Sequence, residues 1–414
     1  MFGELKLSNR AQRCFGSLNY FVHDLEAASG ACLSGKSLIT FMFEDAALDG
    51  IFLPPSSLVS SVVKCAKSNL CNGYSYCFGF DETREAIGKY WKMNFAHSIK
   101  VQITGDHVVV ASGSSDALSM CFGSLCSYGD NILLPFPSSQ HYTTSCFYYG
   151  IEPRFYCCNH EKDCEIDFDH LRSLVDGKTK AILVNNPSNP SGSNFSRQHI
   201  AELIRVCEEL RLPLISDEVY AGLVFSGEAF TSVAAFDTHV PRFVVSGLSM
   251  RFNVPGYRFG WVIVLDRDGY GAKLQAAVRC LATRSLMPNS VLQHAVVKAL
   301  EETPQSYFDD CARRLEEGAM ALYNGLCGHP GLKPVRPRGS LFIFIVLVFG
   351  ELDSSIQSDV EFAKKLAEEE NVHVLPGEYF NMPGALRITV SRPLPIIKDA
   401  VGRIGSFCER HRRG

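Results

Sequence analysis

Several polar clusters, each at the end of an apolar run, carry groups that could build a phosphate site on a sheet edge. Ser112-Gly113-Ser114-Ser115-Asp116 follows one such run and opens a helical stretch. Backbone N–H groups and hydroxyls at a helix N-terminus bind phosphate well, although Ser/Asp caps also begin many ordinary helices. Asn185-Asn186-Pro187-Ser188-Asn189-Pro190-Ser191-Gly192 makes a rigid turn past a second run, at the carboxyl edge where ligands bind α/β sheets. Asp217 closes the run LPLIS, with Tyr220 three residues on; by itself an Asp there is a helix cap. Between Phe243–Val245 and Trp261–Leu265 lies SGLSMRFNVPGYRFGW, a strand-loop-strand pattern that delivers Arg251 and Arg258 to the edge. Arg258 suits a phosphate because its forked N–H groups match two oxygens at once.

The elements that must position these groups follow from the hydrophobic pattern. Strands are expected at Val108–Ala111, Asn131–Pro135, Glu152–Tyr156, Lys180–Asn185, Pro213–Asp217, Phe243–Ser246 and Gly260–Leu265. Amphipathic helices alternate with them, as at Ser196–Arg211, where Ile200, Leu203, Ile204 and Cys207 share a face. Alternation of this kind implies a mostly parallel sheet of seven strands, covered on both sides. Helical pattern then runs from about Asp268 to Leu326. The last portion is α+β, with strands at Ser340–Val348, Val372–Leu375 and Leu386–Ser391 and helices at Asp359–Glu370 and Pro395–Arg410. The expected division is an N-terminal segment, 1–70, packing with a small C-terminal domain, 326–414, and a large domain, 71–325, that carries the clusters.

Bulk composition narrows the function classes. The chain has 414 residues, 20% of them charged, and a formal net charge of −4, which gives no footprint for nucleic acid. The longest apolar run, Leu341–Phe349, is strand-length, far short of a membrane span. The first residues show no secretory h-region, and a cytoplasmic location is expected. Sixteen cysteines in such a chain read as reduced, mostly buried thiols. Cys157, Cys158, His160 and Cys164 have no C-x₂-C spacing, and no metal site is expected.

Taken together, NNPSNPSG, SDEVY and PGYRFGW resemble the motifs of the fold-type I pyridoxal phosphate-dependent aminotransferases (class I), and tyrosine aminotransferases of the trypanosomatid kind above all. GSNFSRQHI, EELRLPLISDEVYAGLVF and EENVHVLPG carry that closer likeness, and the resemblance covers about residues 70 to 410. It implies pyridoxal 5′-phosphate as cofactor. Ser112, Gly113, Ser114 and Arg258 would then hold its phosphate, Asn189 and Tyr220 the phenolic oxygen, and Asp217 the ring nitrogen. It implies Arg387 as the grip on a substrate α-carboxylate, with Asn189 beside it. It also implies a homodimer, with Tyr74 reaching the neighbouring subunit's phosphate, and a small amino acid or keto acid as ligand.

At the position that does the chemistry the pattern breaks. Where the family places the lysine that anchors the cofactor and moves the α-proton, this chain has Met250, which has no ionisable or nucleophilic atom. Arg251, always protonated, and His141 are no substitutes. Two more departures lie nearby. Glu44 stands where a glycine packs on the substrate, and is expected to repel a substrate carboxylate. Ser139 stands where an aromatic ring stacks on the cofactor. These substitutions imply an aminotransferase-fold protein with transamination lost or strongly impaired, a pseudoenzyme holding its cofactor weakly and non-covalently if at all. The alternative is an active aromatic aminotransferase in which Met250 is an engineered change. Lyases of the same fold need the lysine too.

Overall fold

A computed structural model describes residues 7–14, 35–97, 102–269 and 271–414. Of the N-terminal segment 1–70, residues 1–6 and 15–34 therefore lie outside the described ones.

The valine- and isoleucine-rich runs form the central sheet. Its strands are β2 (Val108–Ala111), β3 (Asn131–Phe136), β4 (Glu152–Asn159), β5 (Glu165–Ile166), β6 (Thr179–Asn185), β7 (Leu214–Asp217), β8 (Arg242–Gly247) and β9 (Gly260–Leu265), with β1 (Ile39–Thr40) lying elsewhere. In space they are ordered β2-β9-β8-β7-β6-β3-β4-β5. The seven expected strands are all present, and two-residue β5 adds an antiparallel edge to β4. Pairings from β8 through β7, β6 and β3 to β4 are parallel. Every residue of β2, β7, β8 and β9 is buried, which is why VVVA and GWVIVL read as unbroken apolar runs, while the polar residues of β7 and β8 fall at the strand ends.

β9 departs from the parallel rule. It runs antiparallel to both β8 and β2, aligning Gly260 with Gly247 on one side and Ala111 on the other. That return path sets the loop carrying Arg258 beside the Ser112–Ser114 turn.

Helices cover the sheet for local reasons. In Arg197–Leu210, the Ser196 side chain caps the start by accepting from His199 N, and left-handed Arg211 ends it. Ile200, Leu203, Ile204 and Cys207 are buried, as their spacing requires. Burying each contributes roughly 2 kcal/mol.

The C-terminal unit is a four-stranded antiparallel sheet, β10 (Leu332–Pro334), β11 (Phe342–Leu347), β14 (Ala385–Thr389) and β13 (Leu375–Pro376), in that spatial order. Helices Asp359–Glu370 and Leu394–Arg410 pack with it through Phe362, Leu366, Ile397 and Phe407. β12 (Val372–His373) pairs in parallel with β1, joining Ile39 to Val372. Phe41, Ala46 and Phe52 enter the same core, so the chain around Glu44 rests on the small unit.

Candidate functional site

The carboxyl ends of β6, β7 and β8 and the start of the helix Ser114–Leu125 converge on one edge of the large sheet. There the turn at Gly113 has φ +89°, a left-handed conformation that a side chain would strain. A Cβ on Gly113 would also come within 2.5 Å of the Arg258 guanidinium, and one on Gly260 within 2.5 Å of Ser114 N. These glycines let the arginine lie against a helix N-terminus. Asp116 fixes the turn by accepting from Ser112 N at 3.0 Å and from Arg284 at 2.9 Å. Arg258 is exposed and donates through Nη1 to Pro255 O at 3.0 Å, one of its five N–H donors. A basic fork over the N–H groups of a helix start is a phosphate-binding arrangement.

Beside it the Asn/Pro loop is knitted to β7. Asn185 Nδ2 donates to Asp217 O at 3.0 Å, Asn189 N to Asn185 Oδ1 at 2.7 Å, and Phe195 N to Asn186 Oδ1 at 2.8 Å. The loop's other side meets the small unit, where a Cβ on Gly192 would strike Phe342 O at 2.4 Å. These bonds explain a loop of asparagines: each supplies a turn and a side-chain cap in one residue. Asn189 and Tyr220 are both buried here.

Asp217 is the deepest acid of the site, 5% exposed. Burial pushes its carboxyl up to about 6, and the negative charge of Glu44 adds to the rise. A hydrogen bond from Tyr142 Oη at 2.7 Å opposes it, as does one from Val219 N at 3.2 Å. A buried carboxylate with this history favours a cationic partner such as a protonated ring nitrogen. Sequence reasoning passed over Tyr142. The available signal was helical spacing, because Ser139 caps the helix Gln140–Tyr149 and places Tyr142 in its first turn.

Arg387 lies on β14, opposite Phe344 and Leu375, and is 1% exposed. Its guanidinium lies over the rings of Phe342 and Phe380, 4.4 and 4.8 Å from their centroids. Nη2 donates to Met42 O at 2.8 Å, and Nη1 to Asn189 Oδ1 at 3.2 Å and to the Glu44 carboxylate. Asn189 Nδ2 donates to the same Glu44 oxygen at 2.7 Å. Glu44, expected only to repel a visiting carboxylate, thus holds the two groups that would receive one.

Met250 follows β8 and is partly buried against the small-unit core that contains Tyr220 and Phe342. None of the side chains making the contacts above is a lysine. Arg251, next along, is buried elsewhere, bonded to Tyr90 Oη and Ala221 O at 2.8 Å and stacked over Phe308. His141 stands at the mouth of the site, where its desolvated surroundings and Arg258 hold its pKa below the usual value against the pull of Glu44. Tyr74 is not gathered into this cluster; it stands on the surface, 85% exposed. Cys158 and Cys164 are core residues whose thiols burial pushes up, Cys164 to about 11. Among the described residues no group of three or more His, Cys, Asp or Glu could hold a metal ion, and no helix is long and apolar enough to cross a membrane.

Comparison with known proteins points the same way. Residues 48–404 match the family model for aminotransferase class I and II. Mouse tyrosine aminotransferase is 33% identical over 406 residues, 98% of this chain and 87% of the mouse protein. The crystal structure of tyrosine aminotransferase from Leishmania infantum superposes with a TM-score of 0.93 at 35% identity, covering all of both chains. Alanine aminotransferase from Pyrococcus furiosus superposes at 0.90 with 28% identity, covering 98% of this chain and all of the other.

Proposed function

Because the chain belongs to the class I and II aminotransferase family, we propose that it is a tyrosine aminotransferase-like binder of pyridoxal phosphate in which transamination is lost or strongly impaired. The observation that carries this reading is Met250, at the end of β8 and against the core cluster of Tyr220 and Phe342. When bound, the cofactor supplies an electron sink for a developing carbanion. Ser112, Ser114, the helix N-terminus and Arg258 would hold its phosphate, and Asp217, supported by Tyr142, its ring nitrogen. Asn189 and Tyr220 would hold its phenolic oxygen. Absence of a positioned proton carrier alone removes about 10² to 10⁴ in rate, and absence of a nucleophilic anchor removes more. A methionine thioether is neither. Tyr74, exposed on a surface loop, fits a homodimer in which it reaches the other subunit's phosphate.

A second reading, an active aromatic aminotransferase in which Met250 is an engineered change, draws on the otherwise complete cradle. The ion pair between Glu44 and Arg387 speaks against it, since the substrate's own carboxylate partner is already engaged.

Titration of the purified protein with pyridoxal phosphate is the test. Binding is expected to be saturable and reversible, removed by desalting and not fixed to the chain by borohydride. Met250→Lys is expected to hold the cofactor through desalting. Amino-group exchange between tyrosine and a keto acid by the protein with Met250 in place overturns the proposal.

A further inference from the structure

We propose that Glu44 is a resident carboxylate that fills the Arg387 pocket in place of a ligand's carboxylate, so that the site selects aromatic amines that carry no carboxylate. The proposal rests on the functional reading above for the location of the site, and adds the ligand class.

The geometry of three groups carries it. Arg387 presents its guanidinium from β14, fully enclosed between two phenylalanine rings and the Met42 carbonyl. Its remaining approach is taken by Glu44, and Asn189 donates to that same Glu44 oxygen. Nη1 and Nη2 of Arg387 and Nδ2 of Asn189 are therefore engaged from within the chain, and of the Arg387 nitrogens only the buried Nε is left without a partner among the described residues. An incoming α-carboxylate has two options. It can lie beside Glu44, where like charges repel, or it can displace Glu44 from a buried arginine.

Glu44 is well placed to enforce this. The small-unit core anchors its segment through Phe41 and Ala46 on either side. Its side chain is 34% exposed, so a ligand can approach it from solvent. Its charge is felt at Asp217 and Tyr220. A ligand beside Glu44 meets an arginine already neutralised by that carboxylate, with the ring of Tyr220 within reach of the same charge. An aromatic ring on a short chain ending in an ammonium group suits those surroundings; adding a carboxylate to it brings only repulsion.

The test is calorimetric binding of tyramine, L-tyrosine and 4-hydroxyphenylpyruvate to the full-length protein and to Glu44→Gln and Glu44→Gly. The original protein is expected to prefer tyramine to L-tyrosine by on the order of tenfold or more. Both variants should reverse that order, with a gain for the two carboxylate ligands and a loss for tyramine. The glutamine variant keeps the side-chain volume and guards against a folding defect. Equal or tighter binding of L-tyrosine by the original protein, or selectivity unmoved in both variants, overturns the inference, as does absence of tyramine binding. Absorbance titration with pyridoxal phosphate, run in parallel, separates the two ideas. Unchanged cofactor binding with unmoved ligand selectivity sinks this inference alone, whereas absence of cofactor binding sinks the functional reading.

Discussion

The two halves of the site are built differently. On the large sheet, the groups proposed to meet a phosphate and ring also make structural contacts. Gly113 and Gly260 are there because backbone and Arg258 pass within contact distance, and Asn185 and Asn186 hold the loop to β7 whether or not anything is bound. Around the small unit, Glu44 and Arg387 pair with each other, and Met250, from the loop after β8, packs against the same core. Arg387 is kept in place by a partner that the chain provides. The difference teaches that one side of the proposed site is held by close backbone fit and the other by an ion pair within the chain.

Five substitutions would break or sharpen that contrast. The largest effect is expected for Arg387→Leu, which leaves Glu44 and the Met42 carbonyl without their donor. A loss of about 3 kcal/mol is expected in urea unfolding, and of about 2 kcal/mol for Glu44→Gln, whose amide oxygen still accepts from the buried guanidinium but carries no charge. Losses below about 1 kcal/mol for both variants would mean that the pair does not fix the small-unit side.

Next is Gly113→Ala on the cradle side. The strained backbone and the clash with Arg258 should cost about 2 kcal/mol and abolish saturable pyridoxal phosphate binding, read by absorbance. Retention of cofactor by this variant would show that the tight approach is dispensable.

Glu218, behind Asp217, gives a pH test. Burial pushes its carboxyl up to about 7, although Ser216 Oγ and Val233 N donate to it. A carboxyl whose folded pKa lies above its unfolded value favours the fold at low pH, and that stability is lost as pH rises through the folded pKa. Stability should therefore fall between about pH 4.5 and pH 7. Asp217 adds a similar fall up to about pH 6 in the unliganded protein. Glu218→Gln is expected to flatten the profile by about 2 kcal/mol between pH 5 and pH 8, measured as urea midpoints. An unaltered profile would remove Glu218 as its source.

Tyr142→Phe should have the smallest effect, about 1 kcal/mol for the hydrogen bond to Asp217. Loss of that donor also moves the Asp217 carboxyl further up, which NMR titration can follow. No movement would mean that Tyr142 does not tune the acid.

Much of this was legible in the sequence because it is local. Runs such as VVVA and GWVIVL announce buried strands through composition alone, and the Asn/Pro octet announces its turn through the backbone preferences of those residues. Asn189, Asp217 and Arg258 could be singled out because each sits, a few residues from such a run, in a short motif that resembles the family's. Two-residue β5 carried no periodic signal and was not foreseen. Tyr142 was overlooked because its value lies in reaching a carboxylate 75 positions away in the chain.

The sequence by itself determined which groups stand at the strand ends, and that position 250 holds no amine, since both are matters of residue type and near spacing. What Glu44 does was decided only by the tertiary structure. Its partner Arg387 is 343 residues distant. Whether a carboxylate repels a visitor or fills the visitor's place depends on which cation the folded chain sets within reach, and no local pattern encodes that.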